Sequence, residues 1–253
     1  MRNKLLLILG IITVLSCSQK NNKNITAQHI VDKAIEKSGK STLSKAELKF
    51  DFRGKTYAST GDCNNITLKR IQIDQDESIT DILKPNGKFT RYVNDRMINI
   101  ADSLAFKHSE SINSVHYFVQ LPYRLNDNAV QKTYLGIDTI NDKAYHKVKV
   151  NFKKEGGGTD YQDEYLYWFG YEDFKLNFLA YSFTVNGGGI RFREAYNERY
   201  IKGIRFVDYK NYKPISKKTS LEDISKAYQN DQLELLSKIE NTNISVEVTS
   251  DKC

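Results

Sequence analysis

The side chains in this sequence that could do chemistry are few, and their spacing decides what they can do. Histidines occur at His29, His108, His116 and His146. None lies in a His-Glu-x-x-His motif or beside a second ligand type at metal spacing, so no metal is expected. Cys63 has no basic neighbour to favour its thiolate, which argues against a cysteine nucleophile. No Gly-x-Ser-x-Gly turn presents a serine. Gly156-Gly157-Gly158 and Gly187-Gly188-Gly189 lack the Lys-Ser/Thr pair of a phosphate loop, and each leads into a predicted strand. A phosphate cradle uses amides at a helix N-terminus, so these glycines read as hairpin loops, or as gating loops at a cavity mouth. No catalytic residue and no cofactor is expected.

Binding is the chemistry left. Arg191, Arg193 and Arg199 alternate along one predicted strand. They form either a solvated face or an anion contact at a cavity rim, for a lipid phosphate or an acidic glycan. Phe192 and Tyr196 take the other face of that strand, and Trp168, Tyr181 and Phe183 lie on neighbouring strands. These aromatics are core residues, or core and ligand wall at once if the sheet is concave.

The elements that must position them follow from periodicity. Hydrophobic residues are 40% of the 253, enough to build a core and to exclude a disordered chain. Lys plus Arg exceeds Asp plus Glu by 38 to 31, and the excess is spread along the chain. No Lys/Arg stripe forms, so no nucleic-acid partner is expected. Thr26 to Ser38 reads as a helix capped by Thr26 and stopped by Gly39. Runs at 46–57, 65–73, 78–83, 88–93 and 96–100 alternate as strands. Asp102 to Leu121 has helical spacing and closes at Pro122. Strands resume at 132–137 and 144–152 across the turn Asn141-Asp142-Lys143. Four more follow at 163–169, 175–185, 190–200 and 204–212, and the span Tyr161 to Tyr212 holds sixteen of the 29 aromatic residues, which suits a sheet with an apolar face. A short helix from Ser220 to about Asn230 and strands at 233–239 and 244–248 finish the chain. A faint repeat with an offset of 31 matches the glycine triplets, Tyr161 with Phe192 and Tyr165 with Tyr196. Acidic residues of the first segment and arginines of the second would set register if the two strands were neighbours.

The N-terminus reads as an address. Arg2 and Lys4 precede an eleven-residue apolar stretch, Leu5 to Leu15, too short to span a bilayer and the right length for a signal peptide. Val14-Leu15-Ser16-Cys17 resembles the lipobox of bacterial lipoproteins. The resemblance implies cleavage after Ser16, lipid on the Cys17 thiol and acylation of the new amino terminus with chains such as palmitate. It places the protein in a Gram-negative envelope, and Ser18 suits outer-membrane sorting facing the periplasm. The expected organisation is a signal peptide over 1–16, a flexible tether over 17–26 and one curved-sheet domain over 27–253. Cys63 and Cys253 then remain, as a disulfide in an oxidising compartment or as two free thiols.

Several segments carry a further resemblance: the hairpin 132–152, Tyr167-Trp168-Phe169-Gly170-Tyr171-Glu172, Tyr181-Ser182-Phe183, and Gly187 to Tyr196 with its Gly-Gly-Gly-Ile-Arg-Phe-Arg-Glu-Ala-Tyr run. They resemble a family of uncharacterised bacterial envelope lipoproteins, the domain of unknown function numbered 6503. No activity is established for that family, so it assigns no catalytic residue here. The order of elements is also similar to the LolA and RseB lipoprotein-handling fold. That likeness implies an α+β architecture: a curved antiparallel half-barrel wrapped around the N-terminal helix and an inserted helix, enclosing an apolar cavity. The expected function is non-enzymatic binding of an apolar or amphipathic ligand, a lipid or a lipoprotein-like molecule, by a protein tied to the membrane through Cys17. Candidate ligand contacts are Trp168, Tyr181, Phe183, Phe192 and Tyr196, with Arg191 and Arg193 at the rim. The alternatives are an envelope sensor or scaffold that binds a protein, and a hydrolase-like enzyme of unknown class.

Overall fold

Fourteen strands and three α-helices follow one another in a computed structural model that describes residues 25–63, 65–156, 158, 161–184 and 187–248. The segment expected to be a signal peptide, Cys17 and Cys253 lie outside the described residues. Helix α1, Ala27–Lys37, is built as its pattern predicts. The Thr26 hydroxyl accepts the His29 amide at 3.1 Å, and Ala27, Ile30, Val31, Ala34 and Ile35 form one buried face. Gly39 then takes φ 65, and a Cβ there would also strike the carbonyl of Gly203. Two constraints therefore fix this residue as glycine.

The strands form two seven-stranded sheets, antiparallel throughout. In the first, β14 (Thr242–Val248), β1 (Ala46–Phe52), β2 (Lys55–Asp62), β3 (Asn65–Asp74), β4 (Glu77–Leu83), β5 (Phe89–Val93) and β6 (Arg96–Ile98) lie in that order. In the second the order is β13 (Leu233–Ile239), β12 (Ile204–Pro214), β11 (Gly189–Ile201), β10 (Leu176–Phe183), β9 (Glu164–Gly170), β8 (Lys143–Phe152) and β7 (Val130–Ile140). Hairpins join sequence neighbours; at the β7–β8 turn Asn141 and Asp142 both take positive φ, as a two-residue hairpin turn requires. β13 runs into β14 through Glu240 and Asn241, so one corner joins the two sheets. Arg199 pins that corner: its Nη2 bonds Asp208 at 3.0 Å and the Asn241 carbonyl at 2.6 Å. The expected single curved sheet is instead two open antiparallel sheets joined at a corner, within the α+β half-barrel class that the resemblance implies.

Both faces of the second sheet are apolar. Alternation sends Tyr165, Tyr167 and Phe169 inward against α1, and Leu166 and Trp168 outward. The outward face is covered by α3 (Ile224–Gln229) and the segment before it, through Leu221, Ile224 and Tyr228. The expected neighbour relation inside the 31-residue repeat does not occur. β9 and β11 each pair with β10 and not with each other, so their charges cannot set a common register. Glu164 instead meets Lys149 of β8 at 2.7 Å.

Helix α2, Asp102–Gln120, lies against the first sheet. Its buried stripe is Ile112, His116 and Gln120, four residues apart, and two of the three are polar. The sheet answers with polar groups. Asp81, fully buried, accepts from Arg70 at 2.6 Å and from Arg91 at 2.7 Å. Arg70 reaches on to the helix, donating to Ser111 Oγ at 3.2 Å and to His108 Nδ1 at 3.1 Å. His116 Nε2 meets the Lys69 carbonyl at 3.2 Å, and Gln120 donates to Ser59 at 3.1 Å. Lys40, itself buried, donates to the Val119 carbonyl in the last turn of α2 at 2.9 Å. Polar bonds as well as packing hold this helix in place.

Candidate ligand cavity

Between α2 and the inner face of the second sheet lies a cavity of about 210 Å³. Four adjacent strands build its floor: Tyr181 on β10, Arg193 on β11, Tyr209 on β12 and Ile239 on β13, with Asn241 at the corner. Helix α2 forms the roof with Ser114, Val115, Phe118 and Val119, spaced so that one helical face presents all four. The β1–β2 turn closes the side with Phe52 and Arg53. Larger spaces lie elsewhere: one of about 330 Å³ beside Arg199 and Asn241 at the corner, and two, about 700 and 470 Å³, between α2 and the β4–β5 hairpin. They are open grooves; the largest carries Lys84, Asn113, Arg124, Asn126, Asp127 and Asn128, and so suits water better than acyl chains.

Arg193 dominates the electrostatics of the cavity. It is 8% exposed. Its Nη2 donates to Tyr181 Oη at 3.0 Å, and its guanidinium carbon lies 3.8 Å from the Phe118 ring centre. Nε has no acceptor. A guanidinium stays charged at any physiological pH, so this is a buried cation held by a phenol and the face of a ring. Neighbouring aromatics fix that geometry. Tyr165 stacks on Tyr181 at 5.4 Å, and Tyr117 bonds the buried Tyr167 hydroxyl at 2.9 Å. Burial pushes the Tyr117, Tyr167 and Tyr209 hydroxyls above their ordinary range, which keeps these phenols neutral.

The sequence candidates divide by face. Tyr181 and Arg193 line the cavity. Arg191 and Phe183 share their sheet face but sit one step further along the strands, where the Arg191 guanidinium carbon lies 4.8 Å from the Phe183 ring centre, beside Gly189. Trp168 and Phe192 project to the opposite face and are buried under α3. Trp168 donates to Asp138 at 2.8 Å, and Phe192 stacks on Tyr228 at 4.7 Å. Tyr196 also points away from the cavity and bonds Glu240 at 2.6 Å. Arg199 leaves the row of Arg191 and Arg193 because β11 bulges between Tyr196 and Arg199, with Asn197 at φ 52. The roof and side residues Phe52, Arg53, Val115, Phe118 and Val119 were not foreseen as wall. Their signal was available in the stripe Val115, Phe118, Val119, which marks an apolar face of α2.

The triple-glycine segments fall in the β8–β9 and β10–β11 connections, where Gly156, Gly158, Gly187 and Gly188 all take positive φ. Among the described residues, no group of three or more His, Cys, Asp or Glu is placed to hold a metal ion.

A family model described as a family of unknown function, DUF6503, matches residues 3–241. No curated protein matches the sequence. Among solved structures, a LolA superfamily protein from Nitrosomonas europaea superposes with a TM-score of 0.50 at 12% identity, covering 90% of this chain and 96% of that one. A DUF1329 family protein from Desulfovibrio piger superposes at 0.45 and 11% identity, over 89% and 95% of the two chains. A domain from Vibrio parahaemolyticus assigned to outer-membrane lipoprotein sorting gives 0.45 and 8%, over the same shares. At these identities the first likeness establishes the fold and nothing about cargo.

Proposed function

The chain belongs to the DUF6503 family of unknown function, and from that premise and the cavity under α2 we propose that it binds an apolar or amphipathic ligand without transforming it. One observation carries the reading: the half-barrel retains a partly open cavity of about 210 Å³ walled in part by Phe52, Val115, Phe118, Val119 and Ile239. Each methylene moved from water into such a space contributes about 0.8 kcal/mol. The volume falls below the usual 300–1,000 Å³ of a drug-sized site, so the cargo is slender, such as one alkyl chain. Mass spectrometry of lipids extracted from the purified protein should recover a bound amphiphile, and Val115→Trp, which fills the roof, should remove it at unchanged secondary structure. An empty wild-type protein, or a Val115→Trp variant that keeps its lipid, would refute the reading.

In this reading the protein is anchored in the cell envelope through an acylated Cys17 and faces the periplasm from the outer membrane. The disulfide supports that arrangement. Cys63 is disulfide-bonded. It follows β2, and β2 and β14 flank β1 with their ends at the same edge, since Ala46 faces Val248 and Glu47 faces Thr60. Two strand spacings separate those ends, about 10 Å, and five extended residues reach about 17 Å. Cys253 is therefore within range, whereas the sulfur of an acylated Cys17 is already used. Peptide mapping without reductant should give a Cys63–Cys253 cross-link and a lipid-bearing Cys17. A Cys17–Cys63 cross-link would end both proposals.

A further inference from the structure

The cavity holds a charge that no acidic residue among the described residues neutralises. Arg193 is more than nine-tenths buried, yet its Nε finds no acceptor, and among the described residues it forms no ion pair. None of the residues lining the space is Asp or Glu. A second guanidinium, that of Arg53, stands exposed at the side of the same cavity. The other buried arginines are treated differently: Arg70 is bonded to Asp81, and Arg205 to Glu198. Burying a cation without a counter-ion costs several kcal/mol. The Phe118 ring and the Tyr181 hydroxyl offset part of that cost. An anion reaching the guanidinium from the cavity would offset the rest, through a charge-assisted hydrogen bond.

We infer that the ligand is an anionic amphiphile that enters head first, with a carboxylate or phosphate monoester on Arg193 and its alkyl chain against the apolar walls. The inference rests on the proposed amphiphile site and adds the charge and orientation of the cargo. Depth supports the orientation: the buried guanidinium is on the floor, between Phe118 and Tyr181, while the rim has only the exposed Arg53. A cationic head would be repelled, and a neutral oxygen acceptor could bond the guanidinium but would leave its charge uncompensated.

The test is isothermal titration of the mature chain carrying Cys17→Ser, exported behind a cleavable signal so that neither acyl groups nor detergent compete. The probes at pH 8 are decanoate, decyl phosphate, decanol and inorganic phosphate. The expected result is that decanoate or decyl phosphate binds at least about tenfold more tightly than decanol, and the tighter of the two identifies the head. Arg193→Met should bring the anions down to the affinity that decanol shows for the same variant. Equal affinity of decanol and both anions for the wild-type chain overturns the inference and leaves the apolar site standing, and this comparison requires no variant to fold. An anion preference that survives in Arg193→Met overturns it as well, because Arg53 or the surface would then supply the charge. Inorganic phosphate binding as tightly as decyl phosphate overturns it by making the tail irrelevant. No binding of any decyl probe removes the amphiphile site and the inference together.

Discussion

Asp81→Asn should destabilise the protein by about 3–5 kcal/mol, the range for removing one partner of a buried ion pair. Asp81 is wholly buried between two arginines, of which Arg70 is almost as deep. Burial alone would raise its carboxyl, but the bonds from Arg91 and Arg70 outweigh burial and hold it below the ordinary carboxylate range. An asparagine of the same shape keeps the volume and loses the charge, so both guanidiniums are left facing each other without a counter-ion. Arg70 also bonds Ser111 and His108, so the loss reaches α2 and the roof of the cavity. For a chain of this size the melting temperature should fall by about 10 °C. Breaking the exposed Lys33–Glu36 pair by Glu36→Gln should leave it where it is. Urea melts of the three proteins decide the matter; a loss below about 1 kcal/mol for Asp81→Asn would show that the network does not secure the helix.

Acid should loosen the same helix through a different residue. His116 is buried between Phe50 and Tyr57, with ring centres 5.5 and 5.7 Å away, and Nδ1 has no partner. Burial lowers its pKa from 6.5 to about 4, although the bond to the Lys69 carbonyl acts in the opposite direction. The folded protein therefore prefers the neutral ring. Above pH 6.5 the ring is neutral in both states and the stability is fully present. As pH falls from 6.5 towards 4, the unfolded chain takes up a proton that the folded chain refuses, and up to about 3 kcal/mol is lost. His108 and His146 are lowered as well, chiefly by burial, and push in the same direction. Urea melts at pH 7.5 and 4.5 should show the fall, and His116→Phe should remove most of it. A variant with the wild-type slope would assign the effect to other groups.

Much of the architecture was legible because period-two and period-3.6 patterns are local. The helix expected over 26–38 forms over Ala27–Lys37, and the one expected over 102–121 forms over Asp102–Gln120. Strand assignments held for the same reason, apart from the first run, which the Arg53–Gly54 turn divides into β1 and β2. The site was less legible because its assignment depends on which face of a two-sided apolar strand meets which helix. Leu166 and Trp168 are as apolar as their neighbours Tyr165 and Tyr167, so alternation could not say that Trp168 faces outward. That decision belongs to α3, whose Leu221, Ile224 and Tyr228 cover the outer face from a distant part of the chain. Arg193 was visible as a basic residue on a strand. That no acidic residue among the described residues meets it appears only when Phe118, more than seventy positions earlier, is packed against it.

The pairing of β1 with β14 has a consequence for assembly. Ala46 lies opposite Val248, and bringing ends about 200 residues apart together carries a loop-closure cost that nearer contacts avoid. The first strand to emerge is thus the last to acquire both neighbours. A chain released short of Thr242 keeps one edge of β1 unpaired, and such an edge is a template for intermolecular strand addition. Biogenesis of this protein therefore favours whatever shields nascent edges until the C-terminal strand arrives.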